Sequence, residues 1–296
     1  MIIYEFAAFG AAVCWALAGL FSAKPARYFG AMRFNSLKLV FVSLMLLAQV
    51  LMTGSWRQLD TNGAFPLLLS GLIGIFAGDT ILYSVLIRLG PRRTGVLFAM
   101  NAPMSAVLGW VLLDETISPM ALIGIALVTI GVVIAILYGK RSSQKHPWEA
   151  VQGPLWIAVG LGLLAALAQA AGSILARPVM QAGMDPVLGS LLRVGISAAC
   201  LTVVSQLPFP SRSRVKLSWQ SVTMTACSGL LSMALGMTLL LFALSGGNVG
   251  IVSTLSATTP VLVLPMIWAV TRERPAFGAW IGAGTVFAGM AVIFAT

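Results

Sequence analysis

Ten runs of about 20 apolar residues follow one another along the chain, near 5–23, 34–53, 65–89, 93–113, 119–138, 153–176, 187–207, 218–244, 248–270 and 276–295. A stretch of that length spans the hydrocarbon core of a bilayer as a helix. Lipid offers no water to unpaired backbone groups, and the alternating pattern of a barrel strand is absent, so the expected class is an all-α membrane protein. Composition agrees: 59% of the residues are hydrophobic and only 9% charged, against roughly 25% charged in a soluble domain. The joints are too short to hold a soluble domain. Met-Ile-Ile-Tyr-Glu-Phe at the start has no basic region, so segment 1 reads as a retained helix rather than a cleaved signal.

One pattern occurs twice. Gly71, Gly78, Thr80, Pro103, Gly124 and Gly131 recur in order as Gly229, Gly236, Thr238, Pro260, Gly282 and Gly289, and each block runs 60 residues from first glycine to last. Upstream, Lys24-Pro25 and Lys38 are echoed by Arg177-Pro178 and Arg193. The expected organisation is a first five-helix repeat over 1–140, a linker over 141–152 and a second five-helix repeat over 153–296. Two copies of an odd number of crossings face opposite ways, which is the arrangement of many carriers.

The basic residues orient them. Fourteen lie in the joints after segments 1, 3, 5, 7 and 9, and only Arg57 and Arg177 in the joints between. That bias places the odd joints in the cytoplasm and both termini outside. The net charge of +10 is spread over short joints on one face, which suits anionic lipid head groups rather than nucleic acid. Cys14, Cys200 and Cys227 are odd in number and without metal spacing, so reduced buried thiols are expected, with no cofactor and no metal.

At this point the chain resembles the ten-helix drug/metabolite transporters of the EamA type. The resemblance rests on Asn101-Ala102-Pro103 through Glu115 with Gly124 to Gly131, and on Thr258-Thr259-Pro260 through Glu273 with Gly282 to Gly289. It covers nearly the whole chain. Lys38 and Arg193 match the position where many members carry a basic residue in the second helix of each repeat. The resemblance implies that the first four helices of each repeat line a central cavity while the fifth packs outside. Within the family the chain is similar to the YddG-type amino-acid exporters.

The candidate site residues are the polar groups placed deep in the apolar runs. Asp79 lies about fourteen residues into segment 3, roughly 20 Å from its outer end at 1.5 Å per residue. An ionisable group there faces a cavity or a partner, so it is either a substrate-amine or proton site or a permanent ion pair with Lys38. Arg193 corresponds to Lys38, but the residue corresponding to Asp79 is Met237. Arg193 therefore lacks the equivalent acid, and it either binds a carboxylate through paired hydrogen bonds or snorkels toward the head groups. Trp15, Gln169, Asn101, Tyr83 and Trp110 are candidates for the cavity wall, with ordinary helix packing as the other reading. Pro103 and Pro260, and with them Pro265, are either gate hinges or static kinks. The glycines at 71, 74, 78, 278, 282, 284 and 289 read as close-packing faces.

An intramembrane enzyme is disfavoured, since the single histidine, His146, is in the basic linker and no metal-ligand or phosphate-cradling motif occurs. Small four-helix relatives couple to protons through an acid in their first helix, whereas residues 6–23 contain none. That leaves Asp79 as the replacement, or facilitated diffusion. The expectation is an alternating-access exporter of amino acids or similar small metabolites across the bacterial inner membrane. Multidrug or organic-cation efflux is the alternative, ahead of a channel.

Overall fold

The computed structural model describes residues 2–59, 61–113, 118–138, 151–206, 218–236, 239, 243, 255 and 258–294. Among them the regular elements are all helical. In chain order they are α1 (Ile2–Phe29), α2 (Ala31–Thr53), α3 (Thr61–Ser70), a π-helical stretch (Gly71–Asp79), α4 (Thr80–Phe98), α5 (Asn101–Leu113), α6 (Pro119–Tyr138), α7 (Leu155–Gln181), α8 (Pro186–Gln206), α9 (Trp219–Gly229), a second π-helical stretch (Leu230–Leu235), α10 (Thr259–Thr271) and α11 (Phe277–Phe294). Among the described residues six helical spans are long and apolar enough to cross a membrane, and the stretches Pro103–Leu112, Thr259–Thr271 and Phe277–Val292 are shorter apolar helices. Large apolar side chains such as Leu44, Leu51, Leu112, Leu122, Ile130 and Leu137 point outward. A surface of that kind suits lipid rather than water.

Local chemistry explains where the helices end. A single residue, Gly30, joins α1 to α2 at φ 78°, a left-handed conformation that glycine adopts without a Cβ clash. Gly90 breaks α4 in the same way at φ 77°, just before Pro91, and so separates the third expected segment from the fourth. At the start of α8 the Asp185 carboxylate accepts from the Val187 and Leu188 N–H groups at 3.0 and 2.9 Å, with Pro186 as first helical residue. The 139–150 part of the linker, with His146, lies outside the described residues. So do Glu115, Met237 and the basic joint at 212–216.

The two copies meet as an approximate dyad requires. Equivalent helices pack on each other, α2 on α8 and α6 on α11; α1 packs on α9 and the second π-helical stretch as α7 packs on α3 and the first, and α1 on α10 as α7 on α5. In the α6–α11 pair a Cβ on Gly131 would meet Val286 N at 2.7 Å and Gly282 O at 2.8 Å, while one on Gly289 would meet Val128 N at 2.6 Å and Gly124 O at 2.7 Å. These two sets of contacts exchange when the copies are swapped, and the two helices run antiparallel. Gly278 and Gly282 also sit against α6, whereas Gly284 faces open space. Ser36 near the start of α2 meets Thr202 near the end of α8, so this pair is antiparallel too. Antiparallel equivalents place the dyad across the helices rather than along them, which is the geometry of an inverted repeat.

The π-helical stretches depart from the uninterrupted segments expected in both copies. They occupy equivalent places, the first beginning at Gly71 and the second directly after its mate Gly229. A Cβ on Gly71 would collide with the Arg193 backbone, and one on Gly229 would stand 2.9 Å from Val42 and 3.4 Å from the Lys38 side chain. Each stretch is thus pressed against the basic residue of the opposite copy. Such insertions cluster at functional positions.

Candidate functional site

The serines before those glycines lock the same junction. Ser70 Oγ donates to Gly172 O at 2.6 Å, and Ser228 Oγ donates to Ala18 O at 3.3 Å while meeting Ser22 Oγ at 2.7 Å. Ser197 Oγ reaches Gly71 O at 2.9 Å. Each bond uses a hydroxyl to bridge two helices through a carbonyl, where the alternative in lipid is an unpaired polar group.

Around this frame the two copies differ in charge. In the first, Lys38 is buried with 1% of its surface exposed, and its ammonium donates to Asp79 Oδ2 at 3.1 Å and to the Tyr83 hydroxyl at 2.6 Å. The same ammonium stands 4.6 Å from the Tyr83 ring centre, and Phe34 packs edge-on against that ring. Nearby, Asn35 Nδ2 donates to Thr80 Oγ1 at 3.1 Å, and Thr80 returns a bond to the Phe76 carbonyl. The ion pair between Lys38 and Asp79 is therefore formed, with Tyr83 as a third member. All three polar groups are satisfied by one another, as burial demands.

In the second copy the equivalent cation has no such partner. Arg193 reaches the first π-helical stretch with its Nη2 only 3.6 Å from where a Gly74 Cβ would stand, and Gln169 Oε1 is 2.9 Å from the same point. Arg193 Nε and Gln169 Oε1 are both buried without a hydrogen bond. Asp79 is close enough to act on Arg193 through space, yet among the described residues the carboxylate pairs only with Lys38. A small cavity of about 30 Å³ opens here, lined by the polar Gln169, Ser190 and Arg193 and by the apolar Leu46, Ile75, Val194 and Met233.

The family model for EamA-like transporters matches residues 2–137 and, a second time, residues 156–295. The chain belongs to the EamA-like transporter family. The two matches coincide with the two copies seen in the helix packing, so this EamA-like protein is a multi-pass membrane transporter of the drug/metabolite superfamily. No curated protein matches its sequence. In fold it is similar to a protein of known crystal structure at 17% sequence identity, with a TM-score of 0.68 over 98% of this chain and 95% of the other.

The remaining candidates fall in several places. Trp15, midway along α1 as Gln169 is along α7, turns its indole N–H to the Ser232 carbonyl of the second π-helical stretch at 2.9 Å, so its polar end is occupied by the protein itself. Asn101 is half-buried at the start of α5, and Trp110 is 55% exposed on the outer surface of that helix, away from the junction. Ahead of Pro103 the helix turns at Ala99–Met100, with Ala99 N shared between Gly95 O and Val96 O at 3.2 Å each. Proline has no N–H to offer the Ala99 carbonyl, and its ring crowds that turn, so the bend falls before Pro103 rather than at it. Pro260 is placed alike: Thr258 N bonds Leu255 O at 3.2 Å and the regular helix starts at Thr259. The junction serines Ser70, Ser197 and Ser228 belong to the frame of this candidate site and were passed over by sequence reasoning. Ser70 and Ser228 carried a signal, since each stands one position before a paired glycine.

Proposed function

We propose that this EamA-like transporter exports amino acids or similar small metabolites across the bacterial inner membrane by alternating access. The observation that carries the reading is Arg193, a guanidinium held between the two copies beside a cavity, with no carboxylate paired to it among the described residues. Arg193 is half-buried with its Nε fully enclosed, and a cation placed inside a membrane without a paired carboxylate is costly and normally marks a substrate path. A substrate carboxylate supplies the missing charge through a bidentate pair.

The reading includes ten helices in two inverted repeats, 1–140 and 153–296, joined by a cytoplasmic linker at 141–152. Both termini are outside, and anionic lipid lies against the basic joints. Organic-cation efflux is less well supported, because the acid that would meet a cation, Asp79, is already held by Lys38. The test is purified protein in liposomes, offered a panel of labelled amino acids and organic cations with and without a pH gradient. Saturable, exchangeable amino-acid flux is the expected result. Flux of cations alone, or single-channel currents, would overturn it. Stimulation by the gradient that vanishes in Asp79→Asn would assign coupling to that acid, and undiminished driving in the variant would remove it from the coupling path.

A further inference from the structure

The approximate dyad supplies an internal control for the substrate site. Arg193 of the second copy corresponds to Lys38 of the first, and Gln169 lies against Gly74 as Trp15 lies against Ser232, the residue equivalent to Gly74. In the first copy both polar groups are occupied: Lys38 by Asp79 and Tyr83, and the Trp15 indole by the Ser232 carbonyl. In the second, Arg193 Nε and Gln169 Oε1 are buried with no hydrogen bond, although buried polar atoms in folded proteins are nearly always paired. The Gln169 oxygen and the Arg193 Nη2 of the same guanidinium both approach Gly74, at 2.9 and 3.6 Å from where its Cβ would stand, so Gly74 is the residue that leaves them room.

Donor and acceptor side by side define a ligand class. The guanidinium takes a carboxylate; the neutral amide oxygen, turned toward the cationic side of the cavity, takes an N–H donor. The rest of the lining is Leu46, Ile75, Val194 and Met233 with the single hydroxyl of Ser190, a mainly apolar surface for the rest of the ligand. We infer that Arg193 and Gln169, seated over Gly74, form the head-group site for the zwitterion of an α-amino acid with an apolar side chain. This inference rests on the exporter reading above. It further assigns the ammonium to Gln169 rather than to Asp79, which stays with Lys38. The cavity of about 30 Å³ has room for one or two waters, so this conformation is closed around the head-group position. The apolar side chain is admitted when the two copies part.

The test uses the whole protein in proteoliposomes loaded for exchange with labelled L-methionine. N-acetyl-L-methionine, which keeps the carboxylate and removes the ammonium, and 3-(methylthio)propylamine, which does the reverse, serve as competitors. Wild-type protein should exchange methionine and bind each competitor at least tenfold more weakly. Gln169→Leu should bring methionine down to the level of the acetylated analogue, and Arg193→Gln should bring it to the level of the amine. Gln169→Glu guards against misfolding as the cause. Its carboxylate would occupy Arg193 from within, so exchange should stop while the melting temperature rises. Exchange of methionine with unchanged selectivity in Gln169→Leu and Arg193→Gln would overturn this site and leave the exporter reading standing. Absence of any amino-acid exchange by the wild-type protein would overturn both.

Discussion

The cluster of Lys38, Asp79 and Tyr83 predicts an unequal pair of single mutants. Breaking a buried ion pair by removing one partner costs about 3–5 kcal/mol, because the other charge is left without compensation. The two halves are not equally dependent here. With Asp79→Leu the ammonium still has the Tyr83 hydroxyl at 2.6 Å and the ring face at 4.6 Å. A hydrogen bond to a charged group contributes about 1.5–3 kcal/mol, and a desolvated cation over a ring about 2 kcal/mol. With Lys38→Met the carboxylate loses its ion-pair partner, and Tyr83 loses the cation that its hydroxyl serves. Lys38→Met should therefore fall near the upper end of that range and Asp79→Leu near the lower, a gap of about 2 kcal/mol. The double variant replaces both charges with apolar groups of similar volume and should lie within about 2 kcal/mol of wild type. The single costs, which sum to about 8 kcal/mol, should thus fail to add by about 6 kcal/mol. Equilibrium unfolding by dodecyl sulfate in mixed micelles, followed by tryptophan fluorescence, measures all four corners of the cycle. Additive costs, or Asp79→Leu as the more damaging single change, would refute the view of this cluster as a closed clasp.

Gly131→Val and Gly289→Val place side chains where Val286 N and Val128 N stand at 2.7 and 2.6 Å, so each should cost about 1–3 kcal/mol by forcing α6 and α11 apart. The double variant should cost less than the sum, and Gly284→Ala, which meets nothing, should be silent in the same unfolding assay. Trp15→Phe removes the bond to Ser232 and should lower stability by about 1 kcal/mol while methionine exchange keeps its affinity within twofold; a tenfold loss would return Trp15 to the substrate site. Pro103→Ala restores an N–H to the turn after Ala99. If the bend is a hinge, melting temperature should rise and exchange turnover should fall, whereas an unchanged turnover marks a static kink.

Much of this arrangement was legible from residue order because it depends on patterns that lipid and close packing impose. Apolar runs announce helices, and glycines that recur at equal spacing announce two copies that pack on each other; Gly131 against Gly282 and Gly289 against Gly124 are the outcome. Lys38 and Asp79 were legible as potential partners from their depths, but only three-dimensional placement brings in Tyr83, which is 45 residues from Lys38. The π-helical stretches were not legible. Their local sequence, apolar with glycines, suits an α-helix equally well, and what distinguishes them is the opposing Arg193 or Lys38 pressed against Gly71 or Gly229. Trp15 was legible only as two alternatives, cavity wall or helix packing. An indole at mid-membrane depth reads either way until the Ser232 carbonyl is found at its nitrogen.

An inverted repeat with identical halves would have inward-open and outward-open states of equal energy, since the dyad turns one into the other. Here the halves are unequal at the junction they share. On the alternating-access reading, a motion that loosens the contact of Gly229 with Lys38 strains a neutral cluster whose charges already compensate, while the reverse motion loosens the contact of Gly71 with Arg193 and unburies a cation that lacks an acid. Hydration of that cation favours the second motion, so the protein without substrate should be biased toward the state that opens the Arg193 side. A carboxylate bound at Arg193 removes the bias, because it neutralises the charge that favoured opening. A ligand shifts such an equilibrium only by its differential affinity for the two states, and Arg193 is where the difference arises. Gln169→Glu, with its carboxylate built in, should hold the substrate-bound conformation in the absence of substrate. A single cysteine introduced at Ser190, with Cys14, Cys200 and Cys227 replaced, reports the change through a membrane-impermeant maleimide applied from either side. With the native glutamine at position 169, labelling should be strong without substrate and suppressed by methionine. With Gln169→Glu it should be weak from the outset and indifferent to methionine. Labelling of that variant as strong as that of the substrate-free native protein would break the link between charge and gate.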